Sequence, residues 1–173
     1  MDVYSHAEKI AAVDLNDLAR DLFDNYYALA EEKGLNLILD PAGEKIVCRC
    51  DRNLLKMAIG NLIENAIKYS SQGAIKIKLY AGTTKIGEKG AFEKGAFIEI
   101  SDDGIGIPKD ELHKIFNRGY RAGNVGPILG TGIGLDFAHA VISGYCGQID
   151  AFSEVGRGST FRVYLPLLHR EAS

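Results

Sequence analysis

The stretch from Asp51 to Ser70 constrains this chain most. Leu54, Leu55, Ala58, Ile59, Leu62, Ile63, Ala66 and Ile67 recur at helical spacing, and Asp51 stands where an N-cap is needed. The spacing predicts a helix that buries one apolar stripe. At 100° per residue, Asn61, Asn65 and Lys68 fall within an arc of about 60° at one edge of that stripe. Asparagine is a poor helix former, so stability does not ask for two of them there. A solvated helix edge is one reading. The chemical reading is a carboxamide oxygen for Mg²⁺ and an ammonium near phosphate, since magnesium takes hard oxygen ligands and borrows several from phosphates.

The remaining pattern sets the architecture around this helix. Asp14 or Asn16 can cap a helix running to about Lys33, with Gly34 ending it. Strand-like runs follow at 35–40 and 45–50, joined by a Pro-Ala-Gly turn and expected to form a hairpin. Residues 74–81 alternate cleanly and 96–101 form a second strand. Between them lies a loop holding a tandem repeat, EKGAF at 88–92 and again at 93–97. The segment from Asp102 to Gly132 offers only a short helix near 109–117, and a loop of that length in a compact domain is usually functional or disordered. A helix from about Gly132 to Tyr145 and strands at 148–154 and 159–167 close the chain. The order predicts an α+β fold: a two-layer α/β sandwich with helices on one face of a mixed sheet. Residues 1–13 read as a leader or the end of a preceding helix, 14–168 as one domain and 169–173 as a tail.

Composition narrows the function. The net charge of −3 and the absence of a basic stripe argue against nucleic-acid binding. No apolar run approaches the roughly 20 residues that span a bilayer, and none resembles a signal peptide. Cys48, Cys50 and Cys146 have no second cluster to make a zinc site and read as reduced structural thiols. His6, His113, His139 and His169 share no metal spacing.

Two glycine-rich segments add chemistry. In SDDGIGIP, Asp102 ends a strand, where a carboxylate can accept a hydrogen bond from the exocyclic amine of a buried purine. Guanine, with a carbonyl at that position, would leave the carboxylate unpaired. Gly104 and Gly106 would let backbone approach the base. A plain Asp-Gly turn is the other reading. In GTGIGL, Gly130, Thr131, Gly132, Ile133, Gly134 and Leu135 precede an amphipathic helix, whose N-terminal amides suit a polyphosphate. The Lys-Ser/Thr ending of a P-loop is missing. Phe116 can anchor the segment IFNRGYRAG by burial, and Arg118 and Arg121 are candidates to meet γ-phosphate charge, with solvation of the loop as the stronger competing reading.

These motifs occur in an order that resembles the catalytic and ATP-binding domain of two-component sensor histidine kinases, of the GHKL or Bergerat superfamily that includes gyrase, the Hsp90 chaperone and MutL. NLIENAIKYS resembles the N box, SDDGIGIP and GTGIGL the glycine boxes, IFNRGYR the F box, and GRGSTFRVYLPL the closing segment. The resemblance covers about residues 14–168 and implies ATP and Mg²⁺ as cofactors. It implies Asn65 as the metal ligand, with Asn61, Lys68 and Arg121 beside it in the catalytic set. It places Tyr69 with Lys68 on the triphosphate side, Asp102 on the adenine amine, and Gly104, Gly106 and Ile107 behind it. Phe116, Arg118 and the run Gly130, Thr131, Gly132, Ile133, Gly134 and Leu135 complete the nucleotide site, with Thr160 near the base.

Asn61 stands where gyrase-like ATPases carry a water-activating glutamate, and an amide cannot serve as that base. Slow hydrolysis and transfer of the γ-phosphoryl to a histidine on a separate dimerisation domain are therefore expected, with a response-regulator receiver domain downstream. His6 lacks the acidic residue and proline of a phospho-acceptor segment. A monomeric cytoplasmic domain is expected, making no direct membrane contact although its parent could be membrane-anchored. A degenerate regulatory nucleotide-binding module and a related serine kinase or ATPase are the alternatives. Gly119 replaces an aromatic common in such kinases, and the 82–95 loop is longer than usual.

Overall fold

A computed structural model describes residues 9–123 and 134–167. Strand β1 (Ile10–Asp14) leads into α1 (Leu15–Glu32); β2 (Asn36–Asp40) and β3 (Val47–Asp51) lead into α2 (Arg52–Lys68). Strands β4 (Ala74–Lys85) and β5 (Phe92–Asp102) follow, then a 3₁₀ turn at Lys109–Glu111, α3 (Gly134–Gly144), β6 (Gln148–Glu154) and β7 (Gly158–Pro166). The main sheet has the order β2-β4-β5-β7-β6, with β2 parallel to β4 and every other pair antiparallel. Helices α1, α2 and α3 lie side by side on one face, α1 over β2 and β4, α2 over β5, and α3 over β6 and β7. This is the expected two-layer sandwich.

Both long helices start where the residue pattern says they should. The Asp14 carboxylate accepts the amides of Asn16 (2.9 Å) and Asp17 (3.4 Å). The Asp51 carboxylate accepts those of Asn53 (2.9 Å) and Leu54 (3.1 Å). Each cap satisfies donors that the first helical turn leaves orphaned. Helix α2 buries Leu55, Ala58, Ile59, Leu62, Ile63, Ala66 and Ile67 against Ile75, Ile77 and Leu79 of β4, Ile98 and Ile100 of β5, and their neighbours in one core. Each large aliphatic side chain so buried contributes about 1.5–3 kcal/mol.

Four expectations are corrected. The runs 35–40 and 45–50 do not pair as a hairpin: β2 joins the main sheet beside β4, while β3 pairs with β1 in a separate two-stranded sheet. The connection is held by Asn16, whose amide donates to Glu44 O (2.8 Å) and accepts from Ala42 N–H (3.0 Å). Residues 10–14 are therefore a strand rather than a leader or helix end. Most of 82–95 is strand, with pairing continuing outward to Lys85 and Phe92. The helix near 109–117 shrinks to the 3₁₀ turn, followed by i→i+3 bonds from Lys114, Asn117 and Tyr120.

The EKGAF repeat shows why local sequence did not decide the strand lengths. Phe92, ending the first copy, is 75% exposed; Phe97, ending the second, is 8% exposed. Phe97 stacks on Tyr80 (5.1 Å between centroids) and tilts against Tyr164 (5.4 Å) on the outer sheet face. Among the described residues no disulfide forms; Cys48 and Cys50 are buried, whereas Cys146 is exposed and has no core role.

Candidate nucleotide-binding site

A cleft of about 390 Å³ opens between α2, the end of β5, the segment 115–122, the start of α3 and β7. Helix α2 contributes Asn61, Asn65, Lys68 and Tyr69, its polar edge at the boundary of the buried stripe. Asn61 Nδ2 donates to Gly134 O at 3.4 Å, so the first asparagine is tied to the start of α3. The Asn65 carboxamide has no hydrogen-bond partner among the described residues and borders the cleft. Glu64 also borders it, exposed on the rim.

Asp102 forms the opposite wall. Its Oδ1 accepts the amides of Gly104 (2.8 Å) and Ser159 (3.2 Å), which leaves Oδ2 for a ligand. Burial pushes its pKa from 3.8 up to about 6; the two amide bonds pull against this and the neighbouring Asp103 charge adds to it. Asp103 is committed elsewhere, accepting Ala74 N–H at 2.8 Å.

The loop after Asp102 needs its glycines for packing. A Cβ at Gly104 would lie 2.5 Å from Tyr69 O and 2.9 Å from Ser70 Oγ. Gly106 has φ +71°, and a Cβ there would meet Glu154 O at 2.1 Å. The loop is stitched down by Ile105 N–H to Tyr69 O (3.1 Å), Gly156 N–H to Ile105 O (2.9 Å) and Ile107 N–H to Ser153 Oγ (2.7 Å). Gly106 and Ile107 thus line the cleft in fixed positions.

Tyr120, Arg121 and Ala122 line the mouth, and Leu135 and Phe137 of α3 the far side. Phe116 does not line the cleft. It anchors the segment behind it, 5.3 Å from the His139 ring and edge-on to Phe161 at 6.3 Å. Arg118 is exposed and does not line the cleft. Thr160 is also displaced from its expected place: its hydroxyl pairs with Ser101 Oγ at 2.9 Å, on the other face of β7. Strand alternation makes the adjacent Ser159, opposite Asp102 in the ladder, the cleft residue. Gly130, Thr131, Gly132 and Ile133 lie outside the described residues. Ile105, Ile115, Ala122, Phe137 and Phe161 escaped sequence reasoning because they present only apolar surface.

A cleft with a half-buried carboxylate on one wall and amide and ammonium groups on the other suits a purine nucleotide. Residues 50–169, more than half of the chain, match the family model described as histidine kinase-, DNA gyrase B-, and HSP90-like ATPase. The chain belongs to this ATPase family.

Within it, the chain is similar to the sensor histidine kinase AtsR of Burkholderia thailandensis, at 33% identity over 90% of this chain and 25% of that protein. It is likewise similar to the aerobic respiration control sensor protein ArcB of Escherichia coli, at 34% identity over 87% of this chain and 19% of that one. The chain thus spans a quarter or less of these relatives. The fold matches the solved mycobacterial sensor histidine kinase MprB with TM-score 0.74 at 21% identity, covering 91% of this chain and 98% of that one. The family and the fold are those of an ATPase domain, and the cleft is the candidate nucleotide site. No described helix is long and apolar enough to cross a membrane.

Proposed function

We propose that this domain holds Mg-ATP in the cleft and delivers its γ-phosphoryl group to a histidine on a separate dimerisation and phospho-acceptor domain of the same parent kinase. A response-regulator receiver domain is the onward acceptor. The parent operates at the cytoplasmic side, and the isolated domain is a monomer.

The observation that carries this reading is the division of labour at Asp102. One oxygen is held by two backbone amides, and the other is left for an exocyclic amine. Adenine offers that donor; guanine would place a carbonyl against a carboxylate. Across the cleft, the Asn65 carboxamide, without a partner among the described residues, is a hard oxygen donor of the kind magnesium accepts, so the residues fit the ion. Bound there, the metal would neutralise charge on the phosphates. Lys68 and Tyr69 flank the same side, and Arg121 stands at the mouth. Phosphoryl transfer asks mainly for positioning and charge stabilisation, which these residues supply. Asn61 cannot accept a proton from water, which favours transfer over hydrolysis.

The decisive experiment mixes the domain with γ-labelled ATP, magnesium and the acceptor domain of its parent. Label on the acceptor histidine, stable to base and labile to acid, is the expected result. Failure to bind Mg-ATP at all, or transfer to serine instead, would overturn the reading.

A further inference from the structure

The three residues at the cleft mouth sit in a segment without regular structure, yet two of its flanks converge on one side chain. Glu111, in the 3₁₀ turn, accepts Gly123 N–H on both carboxylate oxygens, at 3.2 Å and 3.1 Å. A Cβ on Gly123 would lie 3.4 Å from Glu111 Oε1, in ordinary van der Waals contact. The same carboxylate faces the Tyr120 phenol, whose pKa is raised first by burial and then by Glu111. Arg121 and Ala122 lie between these two attachments, and both line the cleft, with Ala122 buried. Gly119, with φ +74° and nothing within 4 Å of where a Cβ would stand, supplies a bend but no anchor. The i→i+3 bonds donated by Glu111, Lys114, Asn117 and Tyr120 reach no further along the segment than Tyr120. Glu111 thus ties the far end of this segment to the 3₁₀ turn.

We propose that Glu111 is the positioning residue for Arg121: by gripping the segment at 120 and 123 it presents the guanidinium at the cleft mouth, toward the γ-phosphate. This rests on the nucleotide reading above. Glu111 touches neither nucleotide nor metal. Its contribution is to remove alternative backbone positions for Arg121, so that the guanidinium does not lose that freedom when the ligand binds. The consequence is selective. Nucleotides ending at the β-phosphate do not reach Arg121 and gain nothing from the grip, whereas those with a γ-phosphate do.

The test is a double-mutant cycle on the full 173-residue chain, reading calorimetric affinity for Mg-ATP and Mg-ADP. Glu111→Ala is expected to shrink the ATP-over-ADP preference by about tenfold, the size of one charge-assisted hydrogen bond. Mg-ADP affinity and melting temperature should hardly move. Arg121→Ala should do the same, and the double variant should lose no more than either single one. Trypsin should cut after Arg118 and Arg121 faster in Glu111→Ala than in the unaltered chain. Additive losses in the double variant, equal losses for ATP and ADP, unchanged cutting, or an unaltered chain that prefers neither nucleotide would each overturn the proposal. An unaltered chain that binds no nucleotide would instead overturn the proposed function itself.

Discussion

Asp102 and Ser159 stand directly opposite each other in the β5–β7 ladder, and the Ser159 amide donates to Asp102 Oδ1 at 3.2 Å. With the Gly104 amide at 2.8 Å, this fixes the carboxylate before any ligand arrives. Pre-set orientation matters because a ligand then loses no affinity to ordering its receptor. The pairing also couples the two chain segments that build this wall of the cleft, although they lie far apart in sequence.

Asp102→Ala should weaken adenine nucleotides by about tenfold to a hundredfold, the range for removing a hydrogen bond to a charged group. Guanine nucleotides, weak at the outset, should hardly change. Parallel calorimetric titrations check both, and equal affinity of the variant for ATP would remove Asp102 from the site.

The raised pKa gives a pH profile. An exocyclic amine needs the ionised carboxylate, so adenine affinity should be level above about pH 7 and fall by up to tenfold per unit below the folded-state value of about 6. Stability of the free domain runs the other way. Between pH 3.8 and about 6 the folded state holds a proton that the unfolded state has released. The stabilisation is therefore complete below the lower value and lost as pH rises through the upper one, by at most about 3 kcal/mol. Denaturant titrations of Asp102→Asn should show that slope removed.

Asn65→Ala should lower phosphoryl transfer to the acceptor domain by about a hundredfold or more, the usual effect of deleting one charge-stabilising contact. A sharper reading comes from metal removal. Chelation should weaken ATP binding to the unaltered domain, whereas in Asn65→Ala the affinities with and without magnesium should converge.

Gly106→Ala should destabilise the domain by about 2–4 kcal/mol, because the new methyl meets Glu154 O at 2.1 Å from a backbone held at φ +71°. Gly156→Ala is the control: φ is +81° but nothing lies within 4 Å, so about 1 kcal/mol is expected. Thermal melts of the two variants separate collision from backbone strain.

The α2 site edge was legible because helical periodicity places Asn61, Asn65 and Lys68 together whatever surrounds them. Asp102 was legible through its place in the order of motifs, since an Asp-Gly turn after a strand is common by itself, whereas its register partner was not legible. That partner depends on which strand lies alongside, and sequence put Thr160 where the pleat puts Ser159. The supposed 35–50 hairpin failed for the same reason. Two short strands joined by a turn look alike whether they pair with each other or with distant neighbours, and here β1 and β4 take those places. Glu111 escaped notice because a lone glutamate in a polar turn carries no pattern; only its reach to Gly123 gives it meaning.

The small β1–β3 ribbon has a consequence for the whole helical layer. Its strands run in opposite directions, and each ends in the aspartate that starts a helix, Asp14 at one end and Asp51 at the other. The ribbon therefore works as a ruler, keeping the positive tips of α1 and α2 about 13 Å apart at the usual rise of a strand. Deleting one residue from either strand would slide the helices past each other and turn Val13, Cys48 and Cys50 toward water, displacing the cleft-lining edge of α2 from a point well outside the cleft.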